Sequence, residues 1–542
     1  MKEIGGNNKL IRKIVQFVIL LVGSLVSIKL LRYIMLPASN RSSFNSIMYS
    51  ILTLIMATVI VWLLLKITKA EFKLNKLVIV ELIVVCLVLV AVWVTSVPLF
   101  RAKTFYERLG TVTDLEEPLN DIANITQIRT VDRDTAINIA TKKLGEISGL
   151  GSYSEIKDAY IQVYKGELTW VLPVSHKSLI KYLGNKEGTP AYVIVSATNS
   201  SDVEFVSELN GEPFKIKYHD DLYLTGANIR RYLYKNGVKD VYSSANFELD
   251  EEGVPHWVVT YVDMKIGVAS PEPIKVVVCN AITGEFNEYS LEEVPEWVDR
   301  VYSENLVIRQ IDYNGKYKHG FFNSLFAKKD YTETNADYLN FVLGEDGKTY
   351  WSTSISSNGS EESAIGYMLV NTRTKETFYY KEVGTTETGA MKSAQGKVQE
   401  KGYIASYPIL YTINGVPTYV MSLKDSGELV KAFAFVNLVD VNLVAVEDTM
   451  QRAYTSYTSL LEESGNIPQI DLQTIPSATG IITDIQPVVR EGNTVYYIKV
   501  RGKSETYKAD ISVSDELPFL KVEDMIHFRA DDLLEILELE KN

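Results

Sequence analysis

Residues 77–100 read LVIVELIVVCLVLVAVWVTSVPLF, a stretch of 24 positions in which Glu81 is the only charge. A helix needs about 20 apolar residues to cross a hydrocarbon core of about 30 Å, so this stretch reads as a membrane span. Moving toward the N-terminus, Ile14–Leu36 and Ser46–Leu65 are long enough to be two more. Past Phe100, no comparable run occurs in the remaining 442 residues. Residues 1–100 are therefore expected to form a three-helix transmembrane anchor, with spans at about 14–36, 46–65 and 77–100, carrying a large water-soluble body. Lys29 and Arg32 fall near the end of the first span, where long basic side chains reach the headgroups. A cleaved signal peptide is the competing reading of the first run. Its length, the lack of a small-x-small cleavage site and the two spans behind it argue against that.

Basic residues set the expected orientation. The N-terminal tail carries Lys2, Lys9, Arg12 and Lys13, and the second loop carries Lys66, Lys69, Lys73 and Lys76, whereas the first loop offers only Arg41. Excess Lys and Arg stay in the cytoplasm, so the N-terminus is expected inside and everything after Phe100 outside the cell membrane. Arg101, Lys103 and Arg108 run against this assignment. Glu81 is expected near the inner headgroups; an intramembrane proton or ion group is the functional alternative.

Residues 1–100 have a net charge of +8 and the rest of the chain −21. An acidic body disfavours nucleic acid and anionic lipids as its main partners. Two cysteines occur, Cys86 inside the third span and Cys279 in an expected strand Ile274–Cys279, so the body is expected to fold without disulfides.

Four segments of the body share one pattern. Each has a strand centred on an aromatic: Leu168–Leu172 around Trp170, His256–Thr260 around Trp257, Tyr350–Thr353 around Trp351, and Thr418–Ser422 around Tyr419. Each is followed by an apolar strand ending in an asparagine, Asn199, Asn280, Asn371 or Asn437, with Asp202, Thr283, Thr374 or Asp440 three residues on, residue types that tight turns favour. Four matches in order imply an internal repeat, spaced too loosely for a solenoid. Helices are expected at Asp132–Leu144, Leu222–Lys235 and Thr386–Gln399, with no clear helix in the third module.

The stretch Val131–Ala140 resembles the opening helix of a PepSY-type domain, and Val278–Glu285, with its Asn-Ala-Ile-Thr-Gly-Glu run, resembles that domain's closing hairpin. The resemblance covers pieces of residues 130–446, and only the second module has the full Thr-Gly-Glu turn. It implies extracytoplasmic units of a helix plus an antiparallel sheet, often membrane-tethered, some linked to protease inhibition or protein interaction. The whole chain also resembles large uncharacterised multi-span bacterial membrane proteins.

A helix is expected at Thr449–Leu461 and a linker at Ile467–Thr479. Strands at Gly480–Ile485, Thr494–Val500, Tyr507–Val513 and Met525–Phe528 then resemble a small OB- or SH3-like barrel. Tyr496, Tyr507 and Phe528 would be stacking platforms if it bound single strands, but the region from Ala478 onward carries −5, so they are expected in the core. The fold class is thus α+β: anchor 1–100, modules 101–210, 211–300, 301–383 and 384–465, and a barrel at 478–542.

No reactive constellation stands out, and no catalytic, cofactor or metal residue is assigned. None of the five histidines forms an i, i+4 metal pair. His219-Asp220-Asp221 is the densest cluster of ligand-type groups; its plainer reading is the cap of a helix starting at Leu222. His256 is expected on the wetter face of its strand, opposite Trp257. Gly347-Lys348-Thr349 lacks the earlier glycine of a phosphate loop, so Asp346-Gly347 reads as a hairpin turn. Gly-x-Ser-x-Gly does not occur, and Glu251-Glu252 and Glu292-Glu293 read as solvated loops. Trp297–Arg300 is a contact patch or, more plainly, part of an amphipathic helix. The expectation is a non-enzymatic, membrane-anchored interaction or scaffold protein of the bacterial cell envelope. It would have no cofactor, an envelope protein as partner and no nucleic acid. The alternatives are a ligand- or peptide-binding sensor signalling through the spans, and an envelope hydrolase with a site assembled from distant residues.

Overall fold

The structure, a computed structural model, describes residues 2–39, 43–68, 74–116, 127–335, 339–357, 363–467, 477–490, 493–530, 534 and 536–541. Arg41, Lys69 and Lys73 of the expected loops, most of the Ile467–Thr479 linker and the turn at Glu491-Gly492 lie outside the described residues. The chain divides into two compact units, the first made of the described residues up to 116 and from 129 to 386, the second of residues 127–128 and the described residues from 387 on.

The first unit opens with α1 (Lys2–Met35), α2 (Phe44–Thr68) and α3 (Leu74–Ser96). Apolar stretches long enough to cross a membrane occupy Ile14–Met35, Phe44–Leu63 and Val78–Tyr106 of this region. Their side chains are almost all unburied by protein, as lipid-facing helices require. Pro98 starts α4 (Pro98–Tyr106), where a missing N–H costs nothing.

The ends of these helices are tied to the body. The Arg231 guanidinium donates to Tyr33 O and lies 4.3 Å over the Tyr33 ring. The Tyr33 hydroxyl donates to Leu224 O at 2.7 Å, Tyr234 Oη to Pro37 O at 3.0 Å, and Ser39 N to Lys239 O at 2.8 Å. At the end of α3, Ser96 Oγ accepts from Val268 N at 3.0 Å. The end of α1, the start of α2 and the end of α3 therefore share the side on which the body sits, the geometry that three antiparallel crossings require.

After β1 (Val112–Leu115) and α5 (Arg133–Gly145) comes a first antiparallel sheet: β2 (Ser154–Ile156), β3 (Tyr160–Tyr164), β4 (Glu167–His176), β5 (Tyr192–Ser196) and β6 (Val203–Val206). Asp132 caps α5 through Thr135 N. A second sheet follows α6 (Ile229–Lys235): β7 (Val241–Leu249), β8 (Pro255–Ile266), β9 (Ala269–Asn280) and β10 (Phe286–Tyr289). The third follows α7 (Glu304–Tyr317): β11 (Glu333–Thr334), β12 (Asn340–Leu343), β13 (Thr349–Ser356), β14 (Gly366–Asn371) and β15 (Thr377–Tyr380). One apolar core runs from Leu109 through Trp170, Val258 and Trp351 to Val370, so these sheets share an interior.

The register recurs from sheet to sheet. The central aromatics Trp170, Trp257 and Trp351 face Val195, Cys279 and Val370 on the next strand. Each indole N–H donates at 2.8 Å to a backbone carbonyl ahead of the helix of its sheet: Val131, Tyr218 and Tyr302. The peptide N–H groups of those same residues donate to Ala197, Ala281 and Thr372 O, the residues that follow β5, β9 and β14. Asn280 Oδ1 accepts from Ile282 N and Thr283 N, and Asn371 Oδ1 from Arg373 N and Thr374 N. In the first sheet that role falls to Ser196, whose Oγ accepts from Thr198 N and Asn199 N. Asn199 stands three residues on, in the slot held elsewhere by Thr283 and Thr374.

Other expectations shift as well. The helix expected at Leu222–Lys235 begins at Ile229, because Thr225 Oγ1 bonds Leu222 O in a turn and Asn228 supplies the cap. The third sheet does have a helix, α7, and Trp297–Arg300 precedes it as irregular chain instead of belonging to it. Asp346-Gly347 forms the expected hairpin, with Gly347 at φ +73 and Gly344 N bonded to Lys348 O. Cys86 and Cys279 are both free.

In the second unit, α8 (Glu387–Lys397) precedes a fourth sheet of β16 (Ile404–Ala405), β17 (Ile409–Ile413), β18 (Val416–Lys424), β19 (Val430–Asn437) and β20 (Val444–Glu447), covered by α9 (Met450–Glu463). Tyr419 faces Val436, and Asn437 Oδ1 accepts from Val439 N and Asp440 N. The last strands are β21 (Ser477–Arg490), β22 (Asn493–Val500), β23 (Thr506–Asp510), β24 (Met525–Ala530) and β25 (Ile536–Lys541), ordered β23-β22-β21-β24-β25. Tyr496, Tyr507 and Phe528 are buried there, the last two with ring centroids 4.9 Å apart, so they are core residues and not surface platforms.

Candidate functional site

The first candidate is a sheet edge. β1 leaves the membrane-exit helix α4 by a short turn and pairs in parallel with β15, Val112 beside Thr377 and Leu115 beside Tyr380. It fills the edge of the third sheet with a strand from elsewhere in the chain. The corresponding closing strands of the other sheets, β6, β10 and β20, end their sheets, and among the described residues no strand pairs with their outer sides. β10 is the most open of them: Asn287 and Glu288 are exposed and Phe286 and Tyr289 half-buried. An unpaired strand edge presents a row of N–H and C=O groups, a template for another strand.

The second is a charged junction around Glu272 of β9. Its carboxylate pairs with Arg108, just past α4, at 2.7 Å and with Lys375 in the turn before β15. Gln310 Nε2 of α7 donates to it at 2.9 Å, and Lys375 also donates to Arg108 O at 3.0 Å. Burial pushes the Glu272 carboxyl up, but the bonds from Lys375 and Arg108 outweigh it and hold the group below its ordinary range. The junction joins the chain leaving the membrane to the second and third sheets.

The third is a buried pair of histidines, the cluster flagged by His219-Asp220-Asp221. His176 at the end of β4 and His219 have ring centroids 5.6 Å apart, and Tyr182 lies edge-on to His176 at 5.6 Å. His219 N is bonded to Ala227 O and Ile229 N to His219 O, so the triplet braces the start of α6 without capping it. Burial lowers the imidazole pKa of His176, and takes that of His219 to about 4. Both rings are therefore neutral at physiological pH. Asp221 pairs with Lys157, while burial raises Asp220 to about 6. Ser154 lies across the strand pair from His176, yet its hydroxyl and both His176 nitrogens lack a hydrogen-bond partner. No relay from hydroxyl to imidazole to carboxylate is formed. Among the described residues no group of three or more His, Cys, Asp and Glu is placed to hold a metal ion. His256, expected on a wet face, is covered by Trp297 at 5.2 Å between centroids, which is why burial lowers its pKa.

A fourth feature pairs Glu248 with Asp299 of the Trp297–Arg300 stretch, a pairing that was not legible in the sequence. Glu248 Oε2 accepts from Asp299 N at 2.9 Å and Asp299 Oδ2 from Val163 N at 2.5 Å, beside Arg300. Burial raises both carboxyls. They sit where the first and second sheets meet the chain leading to the third.

Comparison with known proteins finds no family model that matches the chain and no curated protein that matches it.

Proposed function

We propose that this is a non-enzymatic, membrane-anchored scaffold of the bacterial cell envelope that binds an extended segment of a partner protein by strand addition. In this reading the four sheets with their helices are PepSY-like modules, the last five strands are a small OB-like barrel, and everything after the third span lies outside the cytoplasm. The observation that supports the reading is β1 on β15: one sheet edge of this body is completed by a strand from a distant part of the same chain. Backbone pairing would supply affinity and the alternating side chains specificity. β10 is the edge best placed to receive the partner.

The test is a photo-crosslinking amino acid at Asn287 in the full chain in intact cells, with Lys142 on α5 as control. A discrete crosslinked protein from Asn287 alone is expected. Identical bands from both positions, or none from Asn287, would contradict it.

The Glu272 junction favours a second reading, a sensor whose ligand changes how the spans are held. A ligand-dependent thermal shift that disappears when Glu272 is replaced would separate it from a passive scaffold.

A further inference from the structure

At the body-side ends of α1 and α2 lies a cavity of about 550 Å³, walled by Arg32, Ser39, Tyr49, Tyr234 and Lys239. Arg32 stands one turn before the end of α1, the level of the lipid headgroups. Its Nε reaches Tyr234 Oη at 3.4 Å, and among the described residues no acid pairs with it or with Lys239. Arg32 from the anchor and Lys239 from the acidic body face one mouth with no acid among its lining residues, and together they form a local anion site.

The mouth does not end there. Ser50 and Leu54 also line an apolar trough of 270 Å³ between α2 and α3, completed by Ile47, Ile51, Val84, Val85 and Val88. Leu54 is ten residues into α2, a descent of about 15 Å at 1.5 Å per residue. That reaches the middle of a hydrocarbon core of about 30 Å. Cations at the headgroup level running into an apolar trough along the spans match one kind of molecule.

We propose that this groove is a binding site for an anionic phospholipid. Its phosphate would lie between Arg32 and Lys239, with the Tyr49 hydroxyl beside it, and one acyl chain would lie in the trough between α2 and α3. The charge of the mouth selects an anionic lipid over a zwitterionic one, and the trough selects a lipid over free phosphate. The bound lipid would fix the first two spans against the second sheet through Tyr234 and Lys239.

The test uses the purified full chain in detergent, titrated with phosphatidylglycerol or phosphatidylcholine and read by native mass spectrometry. Wild type is expected to retain phosphatidylglycerol preferentially. The Arg32→Ala/Lys239→Ala double variant is expected to lose roughly twenty-five-fold of that preference, about fivefold per cation removed. Lys29→Ala, a cation of the same helix outside the groove, is expected to leave it unchanged. Equal retention of both lipids, equal losses in the double variant and Lys29→Ala, or displacement by inorganic phosphate would overturn the proposal. Should the double variant fail to fold, phosphatidylglycerol with a photoreactive acyl chain decides on wild type. Labels concentrated on 47–54 and 84–88 support the site, and labels spread evenly over the three spans refute it.

Discussion

Glu272 has to satisfy two cations and an amide at once, and at 14 % exposure it does so with little help from water. Its replacement by Gln would leave Arg108 and Lys375 facing each other without a counter-charge. The expected cost is about 3 kcal/mol, the range found when one partner of a largely buried pair is removed. Because the folded-state pKa is below the unfolded one, this contribution is complete above the ordinary carboxylate range and is lost as pH falls through the folded value. Thermal unfolding from pH 7 down to pH about 3 should therefore bring wild type toward Glu272→Gln. A constant gap between them across that range would refute the role. Glu248 and Asp299 work with the opposite sign. Burial raises both, so the stability they contribute is full at acid pH and lost as pH rises through their folded values. The pairings of these three acids were not legible in the sequence, since Glu272 and Arg108, or Glu248 and Asp299, are distant in the chain.

At the scale of elements, the turns show what the sequence could and could not tell. Asn280, Asn371 and Asn437 were legible because each ends an apolar strand and is followed three residues on by Thr283, Thr374 or Asp440, a turn whose amides the Asn side chain caps. The first sheet misled by three residues: Ser196 does the same capping, and Asn199 was the nearest asparagine. If the slots are equivalent, Ser196→Asn should be tolerated within about 0.5 kcal/mol, whereas Ser196→Val should cost about 1 kcal/mol or more for the two amides it leaves bare. Equal destabilisation by both substitutions, measured by denaturant unfolding, would show that the slots differ. α7 was missed for another reason. Its buried face holds Gln310 and Gly315 among Leu306, Val307 and Ile311, so the apolar period is broken where Gln310 reaches Glu272 and Gly315 meets Thr332. β1 was invisible because four residues, Val-Thr-Asp-Leu, carry no strand signal of their own and gain their partner only in three dimensions.

For the whole molecule, three apolar runs and an acidic remainder were enough to separate anchor from body, because a bilayer demands length and hydrophobicity that no soluble segment here supplies. What could not be read was that three sheets share one interior. That core, continuous from Leu109 to Val370, makes the first unit's sheets a single cooperative body. Trp170→Ala and Trp351→Ala should therefore lower the same calorimetric transition, each by about 3–5 kcal/mol of stability. Separate transitions would mean that the sheets unfold independently. The reading of the chain as a scaffold rests on the side of the membrane to which that body is attached. Protease digestion of a C-terminal tag on intact spheroplasts asks this directly. Cleavage of the tag without breaking the membrane is the expected result; protection until the membrane is opened would place the body in the cytoplasm and contradict an envelope scaffold.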